Sequence, residues 1–284
     1  MIKWRGTSFS VHPLFIMIML ASVLTGHVME MMTLFGIVLI HELGHAAAAA
    51  IFGWKVLEIK LLPFGGVALT DEGGSAPCHE EVIVALAGPL QNLLMISAAY
   101  GFQAMGFWSE AWTAYFVQAN LMIALFNMLP VLPLDGGRIV QALCSLIVPY
   151  HRTLIWCGRI SILFSLCMIG FALMPLYHAE PIQLNLLMIG VFLIYANWTD
   201  YRNVPYRFVR FMTHRDRLSL LRVQQGTIAY PIVVGSEQPL GGVVRLFMKS
   251  KYHLIYVLND RGKIVAVLPE QRLVDSYFAN FMVK

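Results

Sequence analysis

Apolar runs of about 20 residues recur through the first 200 positions of this chain, and a run of that length leaves few folds open. In lipid such a segment must satisfy its backbone polar groups internally, so only helices or a closed barrel can use it. The sequence is 58% hydrophobic and 13% charged, against about 25% charged in an ordinary soluble domain. It therefore predicts a polytopic α-helical membrane protein with a separate, more polar C-terminal module.

Six spans are expected, roughly at 12–26, 31–53, 82–104, 108–130, 153–176 and 182–199. The first follows Lys3 and Arg5, the charge order of a signal peptide, but no small-residue cleavage site comes after it. It reads as a retained span. The links around Gly26–Glu30, Met105–Trp108 and Tyr177–Ile182 contain no Lys or Arg, so the 20 basic residues gather on the opposite side. The positive-inside rule then places both termini and the two longer loops in the cytoplasm. Cys78, Cys144, Cys157 and Cys167 show no CxxC spacing, which suggests neither a disulfide framework nor a zinc ribbon.

In the first cytoplasmic loop, Val56–Leu62 and Val67–Leu69 flank Pro63-Phe64-Gly65-Gly66, a hairpin signal. A hairpin this apolar either dips back toward the bilayer or lies on its surface. The second loop carries Pro133-Leu134-Asp135-Gly136-Gly137-Arg138 ahead of Ile139–Val148, an apolar stretch too short to span, which fits a broken or interfacial helix. Residues 201–217 form a basic and aromatic linker, including Arg202, Arg207, Arg210, Arg215 and Arg217. Such juxtamembrane tracts usually meet anionic lipid headgroups rather than nucleic acid. Residues 218–284 alternate β-like and helix-like stretches, as expected of a small cytosolic α/β domain.

Within the second expected span stands His41-Glu42-Leu43-Gly44-His45, the HExxH zinc pattern. Residues four apart on a helix are neighbours on one face, so two imidazoles can grip one ion. Glu42 sits one step round and can serve as general base without ligating. Ionisable groups at a span centre cost on the order of 2.5–3.5 kcal/mol each, so they are rarely present without a function. The bland alternative is a pair of satisfied core histidines.

Catalytic zinc usually takes three protein ligands. Asp135 is the only acid between Glu110 and Glu180, and it follows the fourth span on the side where the second span ends. It is the expected third ligand, with a helix N-cap as the plainer reading. The same His41, Glu42, His45 and Asp135 could instead form the conduction site of a membrane metal-ion transporter. Transporters usually spread ligands over several depths and carry related repeats, which this sequence does not show.

HELGH, then Ala87-Gly88-Pro89-Leu90-Gln91-Asn92, then Asn127-Met128-Leu129-Pro130 running into Pro133-Leu134-Asp135-Gly136, together resemble the site-2 protease family of intramembrane zinc metalloproteases. The resemblance spans roughly residues 30–140. It implies one Zn2+ per chain on His41, His45 and Asp135, with Glu42 as catalytic base. It also implies substrate contact by Asn127 and Pro133, and strand pairing of substrate with the Phe64-Gly65-Gly66 hairpin.

The C-terminal module resembles a single CBS domain, and the whole layout is similar to the sporulation branch of the family, which processes pro-sigma-K in endospore-forming bacilli. That likeness implies a pro-sigma-K-like substrate and inhibitory membrane-protein partners. It further implies ATP at the CBS-like module, an outer forespore membrane location, and a homo-oligomer formed through that module.

Overall fold

A computed structural model describes residues 2–4, 7–11, 22–62, 65–71, 76–178 and 180–282. Its helices are α1 (Val28–Ile51), α2 (Cys78–Ala104), α3 (Glu110–Asn127), α4 (Asp135–Cys144), α5 (Tyr150–Leu173), α6 (Leu184–Arg202) and α7 (Val204–Gln225), of which α1, α2, α3, α5 and α6 overlap expected spans. Among the described residues, Val28–Ile51, Cys78–Ala104 and Tyr150–Tyr177 are long and apolar enough to cross a membrane. Helices α3 and α6, at 18 and 19 residues, stand where the fourth and sixth spans were expected. Most of the expected first span, 12–21, lies outside the described residues.

Local chemistry sets the helix ends. Ser109 caps α3 by accepting a hydrogen bond from the Trp112 amide at 3.3 Å. Pro77 precedes α2, and Glu80 and Glu81 in its first turn complement the helix dipole. Leu90, Leu93 and Leu94 of α2 are each 54% exposed, an outward apolar surface suited to lipid rather than water. The inward faces use small residues to bring helices close. At Gly44 an added Cβ would stand 2.5 Å from Gln91 Cγ and 2.8 Å from the Ala87 carbonyl, so α1 meets α2 there only because Gly44 lacks a side chain.

The expected hairpin is present as β3 (Lys55–Leu62) and β4 (Gly65–Asp71), paired antiparallel, while Pro63 and Phe64 lie outside the described residues. The sheet is larger than its sequence signal. Strand β1 (Ile2–Trp4) pairs with β2 (Thr7–Val11), and β2 runs parallel to β3, giving the order β1-β2-β3-β4. The N-terminal strands were not foreseen because each is only 3 or 5 residues long. Strand β4 forms an edge among the described residues.

The C-terminal module comprises β5 (Ala229–Gly235), α8 (Leu240–Val244), β6 (Tyr252–Leu258), β7 (Ile264–Pro269) and α9 (Glu270–Met282). Strand β5 lies parallel to β6, and β6 antiparallel to β7. Its core reaches beyond the module. Tyr150 and Leu154 at the foot of α5, and Val204, Phe208, Phe211 and Met212 of α7, are buried together with Ile232, Val244, Phe247 and Ile255.

The tract expected as a lipid-facing linker therefore differs in the structure. Val204, Phe208, Phe211, Met212 and Arg215 recur at helical spacing and form the buried face of α7. Arg215 is 3% exposed and donates to the carbonyls of Met248 and Lys251 and to Glu270 Oε2, the last at 2.8 Å. His253 is buried and stacked on Phe247 with the rings 4° from parallel. Its amide donates to the same Glu270 oxygen at 2.9 Å.

Candidate active site

His41 and His45 project from one face of α1 with ring centroids 4.8 Å apart, as i and i+4 positions dictate. Asp135 is the first residue of α4, where the chain turns back after α3. All three side chains are buried, and so is Glu42. The return is tight: a Cβ on Gly136 would stand 2.2 Å from the Met128 carbonyl oxygen, and one on Gly137 would stand 2.4 Å from the Val131 carbonyl carbon. The glycine pair thus lets α4 start directly against the chain leaving α3, and it brings half-buried Asn127 beside the turn that carries Asp135. The Leu132–Pro133 bond within that turn is cis.

The hydrogen bonds fix which imidazole atoms face the centre. His45 Nδ1 lies 2.7 Å from the Val84 carbonyl, which can only accept, so Nδ1 carries the proton. Asn92 donates through Nδ2 to the Asn120 carbonyl at 3.2 Å, leaving its Oδ1 to accept from His41 Nδ1 at 2.7 Å. Both Nε2 atoms therefore present lone pairs inward. They are 3.2 Å from each other, and each is 3.2 Å from Asp135 Oδ2.

With both imidazoles neutral, two nitrogen lone pairs and a carboxylate oxygen converge on one point, an arrangement that suits a cation among them. Tetrahedral zinc with bonds of about 2.0–2.1 Å separates its ligand atoms by about 3.3–3.4 Å, so these three fit that ion. Glu42 offers a carboxyl oxygen within 4.8 Å of both imidazoles, a looser approach that suits a group beside the ion rather than on it. A Cβ on Gly88 would fall 2.2 Å from His45 Nε2 and 2.7 Å from His41 Nε2, filling the same space.

The motif Gly88-Pro89-Leu90-Gln91-Asn92 was legible in the sequence, but not what its members do. The four-residue spacing of Gly88 and Asn92 in an apolar helix was the available signal, since it sets both on one face. The Val84 carbonyl left no sequence trace, because every residue has one. Backbone of Gly65 and Gly66 opens β4, while their neighbour Phe64 lies outside the described residues. Pro133 is half-buried two positions before Asp135.

A cation-demanding pair of histidines and a carboxylate, shielded inside an apolar helical bundle with a further buried acid at hand, defines a membrane-embedded zinc hydrolase. Comparison with known proteins narrows the class. The sequence profile of peptidase family M50 matches residues 29–108 and 98–168. Stage IV sporulation protein FB of Bacillus subtilis (strain 168) is 32% identical over 280 residues, covering 98% of this chain and 94% of the relative. A zinc metalloprotease of Methanocaldococcus jannaschii is 27% identical over 241 residues, 83% of this chain and 65% of the relative. The solved site-2 protease of Methanocaldococcus jannaschii superposes with a TM-score of 0.57 at 26% identity, covering 71% of this chain and 94% of that one.

The chain belongs to the site-2 protease family, peptidase family M50, and is an intramembrane zinc metalloprotease. The transporter alternative finds no support, since the candidate ligands converge on one point and the relatives are proteases.

Proposed function

We propose that this protease cleaves a membrane-associated pro-protein of the pro-sigma-K type, with His41, His45 and Asp135 holding zinc and Glu42 acting as general base. The observation that carries the site assignment is the convergence of three acceptor atoms 3.2 Å apart in a buried setting. When bound, zinc supplies the Lewis acidity that acidifies water and polarises the scissile carbonyl. Glu42 takes the proton from the attacking water and returns it to the departing amine. Asn92 and the Val84 carbonyl keep both imidazoles in the metal-binding tautomer.

A helical substrate shields its own peptide bonds, so it must unwind before attack. The β4 edge, with Gly65 and Gly66 at its start and Phe64 before it, supports a reading in which the extended substrate adds as a strand. In this reading Asn127, at the end of α3, and Pro133, two positions before Asp135, contact that segment, and both being half-buried supports it.

The sporulation substrate rests on the likeness to stage IV sporulation protein FB over nearly the full length. With it go inhibition by membrane-protein partners and an outer forespore membrane location. Six spans with cytoplasmic termini remain the reading that the basic-residue asymmetry favours. The β-α-β-β-α order of the module supports a CBS-like unit that takes ATP and pairs with a second copy.

Co-expression with pro-sigma-K tests the proposal. The wild-type chain should release mature product, and Glu42→Gln should abolish release while still retaining zinc. Cleavage by that variant would sink the assignment of the base, and an untouched pro-sigma-K with active wild type on another substrate would sink the substrate.

A further inference from the structure

The two kinds of candidate ligand are supported by different parts of the chain. The imidazoles of α1 are oriented by α2, through Asn92 and Val84. Asp135 begins α4, and two hydrogen bonds bracket it from the later half of the sequence. Three residues before it, the Leu132 amide donates to Ser161 Oγ of α5 at 2.9 Å. Six residues after it, Gln141 Oε1 accepts from Arg207 NH2 of α7 at 2.9 Å, while NH1 of the same guanidinium donates to Asp200 at 2.8 Å.

Ser161 is 2% exposed, so its bond is shielded from bulk water, while Gln141 at 9% meets an Arg207 side chain that is 31% exposed. The foot of α5 is itself fixed to the C-terminal module: the Tyr150 amide donates to the Phe247 carbonyl at 3.0 Å, and Tyr150 shares the module's core. Helix α5 is thus a rod with the module at one end and the Asp135 turn partway along it.

Resting on the reading of Asp135 as a zinc ligand, we infer that Ser161 and Arg207 are positioning residues that hold its carboxylate in register with the two imidazoles. A metal ligand must be kept within about 0.5 Å of its productive place. Otherwise the hydrogen bonds of the turn from Met128 to Leu134 among the described residues are local backbone ones, such as Leu134 to the Val131 carbonyl at 3.0 Å. Anchoring at Leu132 and Gln141 sets both its approach and the azimuth of α4. It also places the third ligand under the control of the half of the chain that carries the module.

The test uses the full-length chain in detergent and reads zinc retention against a graded chelator, with kcat and KM measured separately. Ser161→Ala should weaken retention roughly tenfold, the usual scale for groups that orient metal ligands, and lower kcat with KM unchanged. Ser161→Thr, which keeps the hydroxyl, should restore both. Gln141→Met, nearly isosteric, removes the Arg207 contact together with a buried Nε2 that has no partner among the described residues, so it should weaken retention without lowering thermal stability. Ser165→Ala, one turn further along α5, loses a hydroxyl that donates to the Ser161 carbonyl and accepts from Asn197 Nδ2 of α6 at 3.3 Å, so it should lower thermal stability while leaving zinc retention in the folded protein at the wild-type level.

Wild-type retention in folded Ser161→Ala and Gln141→Met overturns the inference, as does an equal loss in Ser165→Ala. If Ser161→Ala does not fold, Gln141→Met decides alone. Undiminished zinc in His41→Ala would instead remove the metal-site reading on which the inference stands.

Discussion

His41 Nδ1 donates to Asn92 Oδ1 at 2.7 Å across the α1–α2 interface, between residues 51 positions apart. This bond turns His41 Nε2 toward Asp135, so in the proposed metal site Asn92 would orient His41 without being a ligand itself. Replacing Asn92 with Ala should lower zinc affinity by roughly 10–100-fold, the usual cost of losing a group that orients a metal-bound histidine. Zinc content after a timed chelator challenge measures it, and wild-type retention would contradict the role.

Gly88→Ala separates site volume from fold. The new methyl would lie 2.2 Å from His45 Nε2, in the space between the imidazoles. Alanine is favoured over glycine inside a helix by about 1 kcal/mol, but overpacking costs about 1–3 kcal/mol, so the melting temperature should fall by no more than a few degrees while zinc binding and cleavage disappear. Gly101→Ala, where nothing lies within 4 Å, is the matched control and should leave both unchanged. An active, zinc-loaded Gly88→Ala protein would mean the ion sits elsewhere.

Metal removal should act on stability as well as activity. The two Nε2 atoms and Asp135 Oδ2, 3.2 Å apart, would share the ion and tie α1 to the start of α4. Chelation should therefore stop cleavage and lower the thermal midpoint, and stoichiometric zinc should restore both, since a ligand that binds only the folded state stabilises it. Persistent cleavage in the stripped protein is the outcome that would falsify the zinc mechanism.

Acid should loosen the C-terminal module. Burial lowers the His253 pKa, with Glu270 opposing and Arg215 adding to the shift. Burial alone would raise the Glu270 pKa, but the His253 hydrogen bond and the Arg215 guanidinium outweigh it and hold the carboxyl below its ordinary value. Both groups thus bind protons less readily folded than unfolded, and stability must fall as pH falls. The loss should begin near the unfolded histidine value of about 6.5 and continue through the carboxylate range near 4.3. Amide exchange in β6 reports it. Protection that stays flat from neutral pH to 5 would contradict this account.

Much of the architecture was legible because it depends on local periodicity. Apolar length marked α1, α2 and α5, and the Pro63–Gly66 turn marked the β3–β4 hairpin. The alternation in the last seventy or so residues marked a small module of strands and helices, which is β5 to α9. The face of α7 was equally periodic but was obscured by its arginines. A basic tract reads as solvated until its partners are seen, and Arg215 is buried because Glu270, 55 positions later, neutralises it.

The chain's own residues determined the candidate ligands: helical spacing alone puts His41 and His45 on one face, and the scarcity of acids makes Asp135 the candidate third. Only the tertiary structure decided how those groups are held. The contacts of Asn92, Val84, Gly88, Ser161 and Gln141 depend on the rotation and axial register of one helix against another. Neither quantity is encoded in the period of any single helix, because both arise only when the helices pack.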